Sequence, residues 1–110
     1  MEFEEEQHDG IHVLKPKGRV DSRTAAEFEA KLLGLIETGS EAIAVDFAEL
    51  EFMSSAGLRV ILMAAKRLKA NGAFALCGLS EPIMEVFQVS GFAKMLTIHD
   101  DLGAVFAAQG

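Results

Sequence analysis

Phe52-Met53-Ser54-Ser55-Ala56-Gly57-Leu58-Arg59-Val60 decides how this chain reads. Phe52 and Met53 close an apolar strand pattern. From Ser55 to about Ala70 the pattern becomes helical, with Leu58, Ile61, Leu62, Ala65 and Leu68 on one face and Arg59, Lys66, Arg67 and Lys69 on the other. A strand that turns directly into a helix is the repeating step of an α/β fold. The two serines occupy that turn, where the unpaired N–H groups of a helix start and the helix dipole favour negative charge. A phosphate is well accommodated there, so the segment reads as a switch rather than a catalytic centre.

The alternation continues on both sides. Upstream, Phe3 to Gln7 suits a short, charged edge strand, and Asp9-Gly10 supplies a turn into Ile11-His12-Val13-Leu14. Pro16 lacks the ladder donor, so the second strand is expected to fray near its end. Ala25, Phe28, Leu32, Leu35 and Ile36 define the first helix; Thr24 with Glu27 fits a capping box, with Asp21 and Ser22 as alternative caps. Gly34 costs that helix about 1 kcal/mol of propensity and Gly39 ends it. Ala42 to Val45 is a continuous apolar run, as in a buried strand, and Asp46 follows at its carboxyl end.

Downstream, Asn71-Gly72 is expected to stop the second helix, and Ala73 to Cys77 forms another buried strand. Ser80-Glu81-Pro82 opens a third helix with inner residues Ile83, Val86 and Phe87, and Gly91 caps it. Leu96 to Ile98 is a last short strand, and Asp100 is placed to cap a terminal helix burying Leu102, Val105 and Phe106. The expectation is one domain over residues 1–110: an α/β fold with a mixed, mostly parallel sheet of four or five strands and about four helices. In such sheets functional groups gather beyond the strands' carboxyl ends, so Asp21, Asp46 and the Ser54-Ser55 turn are expected to converge.

Composition narrows the function classes. The chain has 110 residues, half of them hydrophobic and a quarter charged, as in ordinary globular domains. Its net charge of −7 argues against nucleic acid and anionic membrane surfaces as partners. No apolar segment approaches the roughly 20 residues of a membrane span, and the acidic start Met1 to Glu6 is unlike a signal peptide, so a cytoplasmic location is expected. The single cysteine, Cys77, sits in an apolar run and reads as a buried thiol. Met53, Met63, Met84 and Met95 are scattered and read as core filler.

Catalytic and metal chemistry find little footing. His8 and His12 are four apart, but Asp9-Gly10 breaks any helix that would align them on a metal. There is no Gly-x-Ser-x-Gly elbow, no Ser-x-x-Lys and no lysine-bearing phosphate loop. Ser55 as a hydrolytic nucleophile lacks a base. No cofactor and no enzymatic activity are expected. The plainest reading of Ser54 and Ser55 is as helix caps; Asp46 equally suits a bond to the loop backbone, and Asp21 a cap.

Glu49-Leu50-Glu51-Phe52-Met53-Ser54-Ser55-Ala56-Gly57-Leu58 resembles the signature of STAS-domain anti-sigma factor antagonists, in which Asp-Ser-Ser/Thr-Gly-Leu follows a buried strand and opens a helix. Gly18-Arg19-Val20-Asp21, Val45-Asp46-Phe47, Asn71-Gly72-Ala73 and Ser90-Gly91-Phe92 match the family in order and spacing along nearly the whole chain. The resemblance implies partner switching. A serine kinase that is also the anti-sigma factor phosphorylates the antagonist, a metal-dependent phosphatase removes the phosphate, and the bare form captures the kinase. It implies Ser55 as the acceptor and helices largely on one face of the sheet. It also implies a partner surface of Asp21, Asp46, Ser54, Ala56, Gly57 and Arg59 on a monomer or weak dimer. The sequence departs from the family at Ser54, where an aspartate is usual, at Ala56, where a hydroxyl is usual, and at Arg59, often glycine. Ser54 thereby becomes an alternate acceptor. Two further roles fit the resemblance: a constitutive STAS subunit of a lipid-transporter ATPase, suggested by Ala56-Gly57-Leu58, and a ligand or nucleotide sensor using the strand-end cleft.

Overall fold

The computed structural model describes residues 1–39, 42–68 and 73–109. In chain order the elements are β1 (Glu2–His8), β2 (Ile11–Val20), α1 (Ala25–Glu37), β3 (Ala42–Asp46), β4 (Leu50–Met53) and α2 (Ser55–Leu68). They continue as β5 (Ala73–Cys77), α3 (Glu81–Ser90), a 3₁₀ turn (Phe92–Met95), β6 (Thr97–His99) and α4 (Leu102–Gln109). The sheet runs β1-β2-β3-β5-β6, with β4 paired to β2. β1 is antiparallel to β2 and every other pairing is parallel. The mixed, mostly parallel α/β sheet expected from the alternation is therefore present, with six strands where four or five were expected, because the short β4 and β6 each add a pairing. The predicted stop at Asn71-Gly72, Lys69 and the end of the second helix at Ala70 lie outside the described residues.

The continuous apolar runs are explained by two covered faces. Leu14, Val45 and Leu76 point into a core closed by Phe28 and Leu32 of α1, Ile61 and Ala64 of α2, and Ile83 and Phe87 of α3. Their neighbours Val13, Ala44, Ala75 and Cys77 point the other way, under Val105 of α4 with Leu102 and Phe106 beside it. Three helices thus share one face and the short terminal helix covers part of the other. Each strand position is apolar because each meets a helix, the rule for parallel sheets.

The first hairpin turns on Asp9 (φ 50°) and Gly10 (φ 84°), both left-handed as a two-residue type I′ turn requires. β1 pairs with β2 from Glu2 opposite Lys17 to His8 opposite Ile11, and its acids meet cations: Glu6 with Lys15 at 3.1 Å, Glu4 with Lys17 at 2.6 Å, and Glu5 with Lys31. The expected fraying at Pro16 does not occur, because β2 continues to Val20. β3 pairs with β2 only up to Leu14, and β4 joins from Gly18. Pro16 falls in the gap, where β1 is the neighbour, and its missing N–H removes nothing from either parallel ladder.

Four local expectations need correction. Thr24 does not form a capping box with Glu27; Asp21 caps α1, and Glu27 instead pairs with the Met1 ammonium at 2.9 Å. Asp101, not Asp100, caps α4: its Oδ1 accepts the Ala104 N–H at 2.9 Å, while the Asp100 carbonyl accepts from Gly78 N–H. Met95 is not core filler, being 74% exposed, whereas Met53 is buried. The inward stripe of α2 is also turned from the expected one: Val60 and Ala64 are buried with Leu58, Ile61 and Leu68, and Leu62 and Ala65 are only half-buried.

Candidate functional site

β2 outruns β3, and this overhang builds the site. A register shift between Gly18 and Arg19, with Gly18 at φ 89°, turns the end of β2 onto β4 so that Arg19 lies opposite Phe52 and Val20 opposite Met53. The ladder passes into the next turn through Ser54, whose N–H donates to the Val20 carbonyl at 2.8 Å. β4 has four residues, and α2 starts two residues after Met53, the last to pair. The helix start is thereby tied to the end of β2 and to the turn into α1.

The two serines have different roles. Ser54 Oγ accepts the Ala56 N–H at 3.2 Å and the Ser54 carbonyl accepts the Leu58 N–H at 3.1 Å, so Ser54 is the N-cap of α2. Ser55 is the first helical residue and is exposed, and no hydrogen bond among the described residues engages its hydroxyl. The first turn of α2 contains no acid. Arg59, one turn further, is exposed. A dianion on Ser55 would meet N–H dipoles and one guanidinium, and no acid of its own helix's first turn.

Gly57 holds this helix start down on the sheet. A Cβ there would lie 2.5 Å from Met53 Cγ and 2.8 Å from Val20 Cγ1. It is buried and acts on the surface by setting the depth of α2, while Ala56 is half-buried beside it.

Asp21 is next to the turn, since Val20 carries the carbonyl that binds Ser54. Its Oδ1 accepts the N–H groups of Arg23 at 2.9 Å and Thr24 at 3.2 Å. The Arg23 N–H above all, then Thr24 and the charge of Arg19, hold this carboxyl below the usual aspartate range. Thr24 Oγ1 closes the network by donating to the Arg19 carbonyl at 2.8 Å.

Asp46 does not join them. β3 ends at Asp46, level with the residue after Leu14, whereas Ser54 is held at Val20, so five residues of β2 separate the two levels, on the order of 17 Å of strand. Asp46 is buried; its Oδ1 accepts the Ala48 N–H at 3.0 Å and lies where a side chain on Gly78 would collide with it. Burial, and then the neighbouring Asp46 carboxylate, push the buried Cys77 thiol up to about 12. This second strand end is closed and its polar groups are mutually satisfied, so the expected three-way convergence reduces to Asp21 with the Ser54-Ser55 turn.

A feature the residue pattern did not reveal is the Arg19–Phe52 pair. The Arg19 guanidinium lies 4.4 Å from the Phe52 ring centroid, and Phe52 is 39% exposed. Phe52 reads as core in an apolar run, and its exposure follows from a register visible only once β4 is paired to β2. The larger surface groove lies elsewhere, along α2, β5 and the 3₁₀ turn.

Comparison with known proteins agrees with this geometry. The STAS domain model matches residues 2–105. BtrV of Bordetella bronchiseptica is 36% identical over 101 residues, covering 91% of this chain and 87% of that protein. The anti-sigma F factor antagonist of Paenibacillus polymyxa is 28% identical over 103 residues, covering 92% and 88%. Among solved structures, the anti-sigma factor antagonist SpoIIAA in its unphosphorylated form superposes with a TM-score of 0.81 at 26% identity, covering 99% of this chain and 97% of that one. The Bacillus cell fate determinant SpoIIAA in the phosphorylated form gives 0.73 at 25% identity, covering 97% and 99%. The chain belongs to the STAS-domain family of anti-sigma factor antagonists. Among the described residues, no helix is long and apolar enough to cross a membrane.

Proposed function

We propose that this protein is a non-enzymatic, cytoplasmic partner switch that binds an anti-sigma factor with serine-kinase activity when Ser55 is bare and releases it when Ser55 is phosphorylated. A serine phosphatase resets the switch. The observation that carries the reading is the division of labour at the α2 start: Ser54 is occupied as the cap, and Ser55 is exposed with its hydroxyl unengaged. Ser54 thus supplies the capping oxygen at the position where the family usually has aspartate, without its charge, and as a donor-bound, half-buried hydroxyl it is the poorer acceptor of the two. That the relatives are anti-sigma factor antagonists supports the choice of partner.

Phosphorylation adds roughly −1.5 to −2 charges at pH 7. The helix N–H groups and Arg59 lie where they stabilise that charge, so the fold is retained while the docking surface gains negative charge and changes shape. Asp21, held ionised by its capping bonds, adds to the negative field. The surface formed by Asp21, Ser54, Ser55, Ala56 and Arg59 is the proposed contact, with Gly57 fixing its height.

The test is incubation with ATP and the cognate kinase followed by intact-mass analysis. One phosphate is expected on the wild type and none on Ser55→Ala, with Ser55→Asp losing kinase binding. A phosphate that persists in Ser55→Ala, or full kinase affinity of phosphorylated protein, refutes the reading.

A further inference from the structure

The larger groove, about 640 Å³, lies well away from Ser55, on the flank of the sheet where β6 begins. β6 pairs with Ala75, Leu76 and Cys77, and among the described residues Ala73 and Phe74 of β5 have no strand partner on that edge. Before Thr97 the chain runs as a 3₁₀ turn instead of a strand. The gap is walled by Leu62 and Ala65 of α2, Phe74 of β5, and Phe92 and Met95 of the turn. This is also why Leu62 and Ala65 are not fully buried. Among the described residues, Lys66 is the one charged side chain lining the groove, and no described acid lies within ion-pair distance of it.

Two unpaired residues are too few to seat an added strand, since strands commonly run three to ten residues. An apolar concavity of this volume with one convergent charge suits a small ligand with an apolar body and one polar end. The one described charge at the rim, on Lys66, is positive and so favours an anionic end group. We propose that the groove binds a free medium-chain fatty carboxylate, its alkyl chain between α2 and the 3₁₀ turn and its carboxylate at Lys66. This site is independent of the switch at Ser55.

The experiment is calorimetric titration of the full chain with octanoate, decanoate and dodecanoate below their micellar concentrations. Saturable one-to-one binding is expected, strengthening roughly tenfold per two-carbon step as methylenes are buried. Backbone amide shifts should centre on Phe74, Met95 and Thr97. Lys66→Glu should weaken decanoate at least severalfold, and Thr97→Trp, which fills the groove from an exposed position, should abolish binding while the circular dichroism spectrum stays native. Absence of saturable dodecanoate binding overturns the proposal. So does equal affinity for dodecyltrimethylammonium, a shift map centred elsewhere, or undiminished binding by folded Lys66→Glu or Thr97→Trp.

Discussion

At the carboxyl end of β3, Asp46 is buried, bonded to the Ala48 N–H and beside Cys77; at the carboxyl end of β4, Ser55 is exposed, and no described residue bonds its hydroxyl. Both follow an apolar strand, and fold-level reasoning treats both as members of one strand-end site. The difference lies in what comes next in the chain. After Asp46, the Phe47 ring drops into the core beside Phe87, with centroids 6.5 Å apart, and its N–H bonds the Cys77 carbonyl. That folds the polar end inward. After Ser54 a helix starts at once, the cap consumes one hydroxyl, and the next is left on the surface. A strand end becomes a surface site only where its polar groups are not already used by the fold.

The largest test of this contrast is chemical. With its thiol pushed up to about 12 from an ordinary value of 9.0, Cys77 carries about a thousandfold less thiolate at pH 8 than a free thiol. Labelling by a thiol reagent at pH 8 should be slower than in denatured protein by at least that factor, and burial slows it further. Native-state labelling at the denatured rate would show the β3–β5 end to be open.

Next in size is the effect at the exposed end. Phosphorylation of Ser55 should weaken binding of the anti-sigma kinase by about a hundredfold or more, the scale of like-charge juxtaposition in an interface. Thermal unfolding should change little, because the phosphate points away from the core. A large loss of thermal stability together with unchanged affinity would invert the contrast.

Gly57→Ala probes what holds the exposed end in register. Met53 can yield to the new methyl group, but Val20 is stiff about χ1 and lies 2.8 Å from it. Overpacking of this kind costs about 1–3 kcal/mol, against which alanine's better helix propensity returns up to about 1. Urea denaturation should therefore give a net loss, and kinase binding should fall as the helix start lifts. Smaller again, Ser54→Ala should cost about 1 kcal/mol as a lost cap, while Ser55→Ala stays within about 0.5 kcal/mol. Equal losses would remove the distinction between the two serines.

Much of this architecture is legible in the residues because it is local. Helical spacing from Ser55, the Asp9-Gly10 hairpin, Pro82 in the first turn of α3 and the left-handed cap at Gly91 each follow from a few neighbouring side chains. Apart from the two misplaced helix caps, which are local, the main misreadings share one cause, pairing between segments distant in sequence. Pro16 is harmless because β3 and β4 meet β2 on either side of it. Asp46 misses the site because β2 is ten residues long, and Phe52 and Met95 are exposed because β4 and β6 are short. No window of sequence contains those lengths and registers. The proposed acceptor, Ser55, comes in contrast from the likeness to the family signature, and the structure adds that its neighbour Ser54 is the cap.

The smallest expected effect concerns acid. Asp21 is held below the usual aspartate range chiefly by the Arg23 N–H, so its folded value lies under the unfolded value of about 3.9. A carboxyl depressed in this way stabilises the native state fully above about pH 4 and loses that contribution as the pH falls through its folded value. Asp21→Asn keeps an accepting oxygen for Arg23 and Thr24 and removes only the charge. Urea midpoints should therefore be lower for the variant at pH 7 and should converge with wild type near pH 2. The same comparison on Ser54→Ala should show a gap that does not change between the two pH values, because that cap carries no ionisable group. If the Asp21→Asn gap persists unchanged in acid, the cap acts through geometry alone, and Asp21 contributes no charge to the surface beside Ser55.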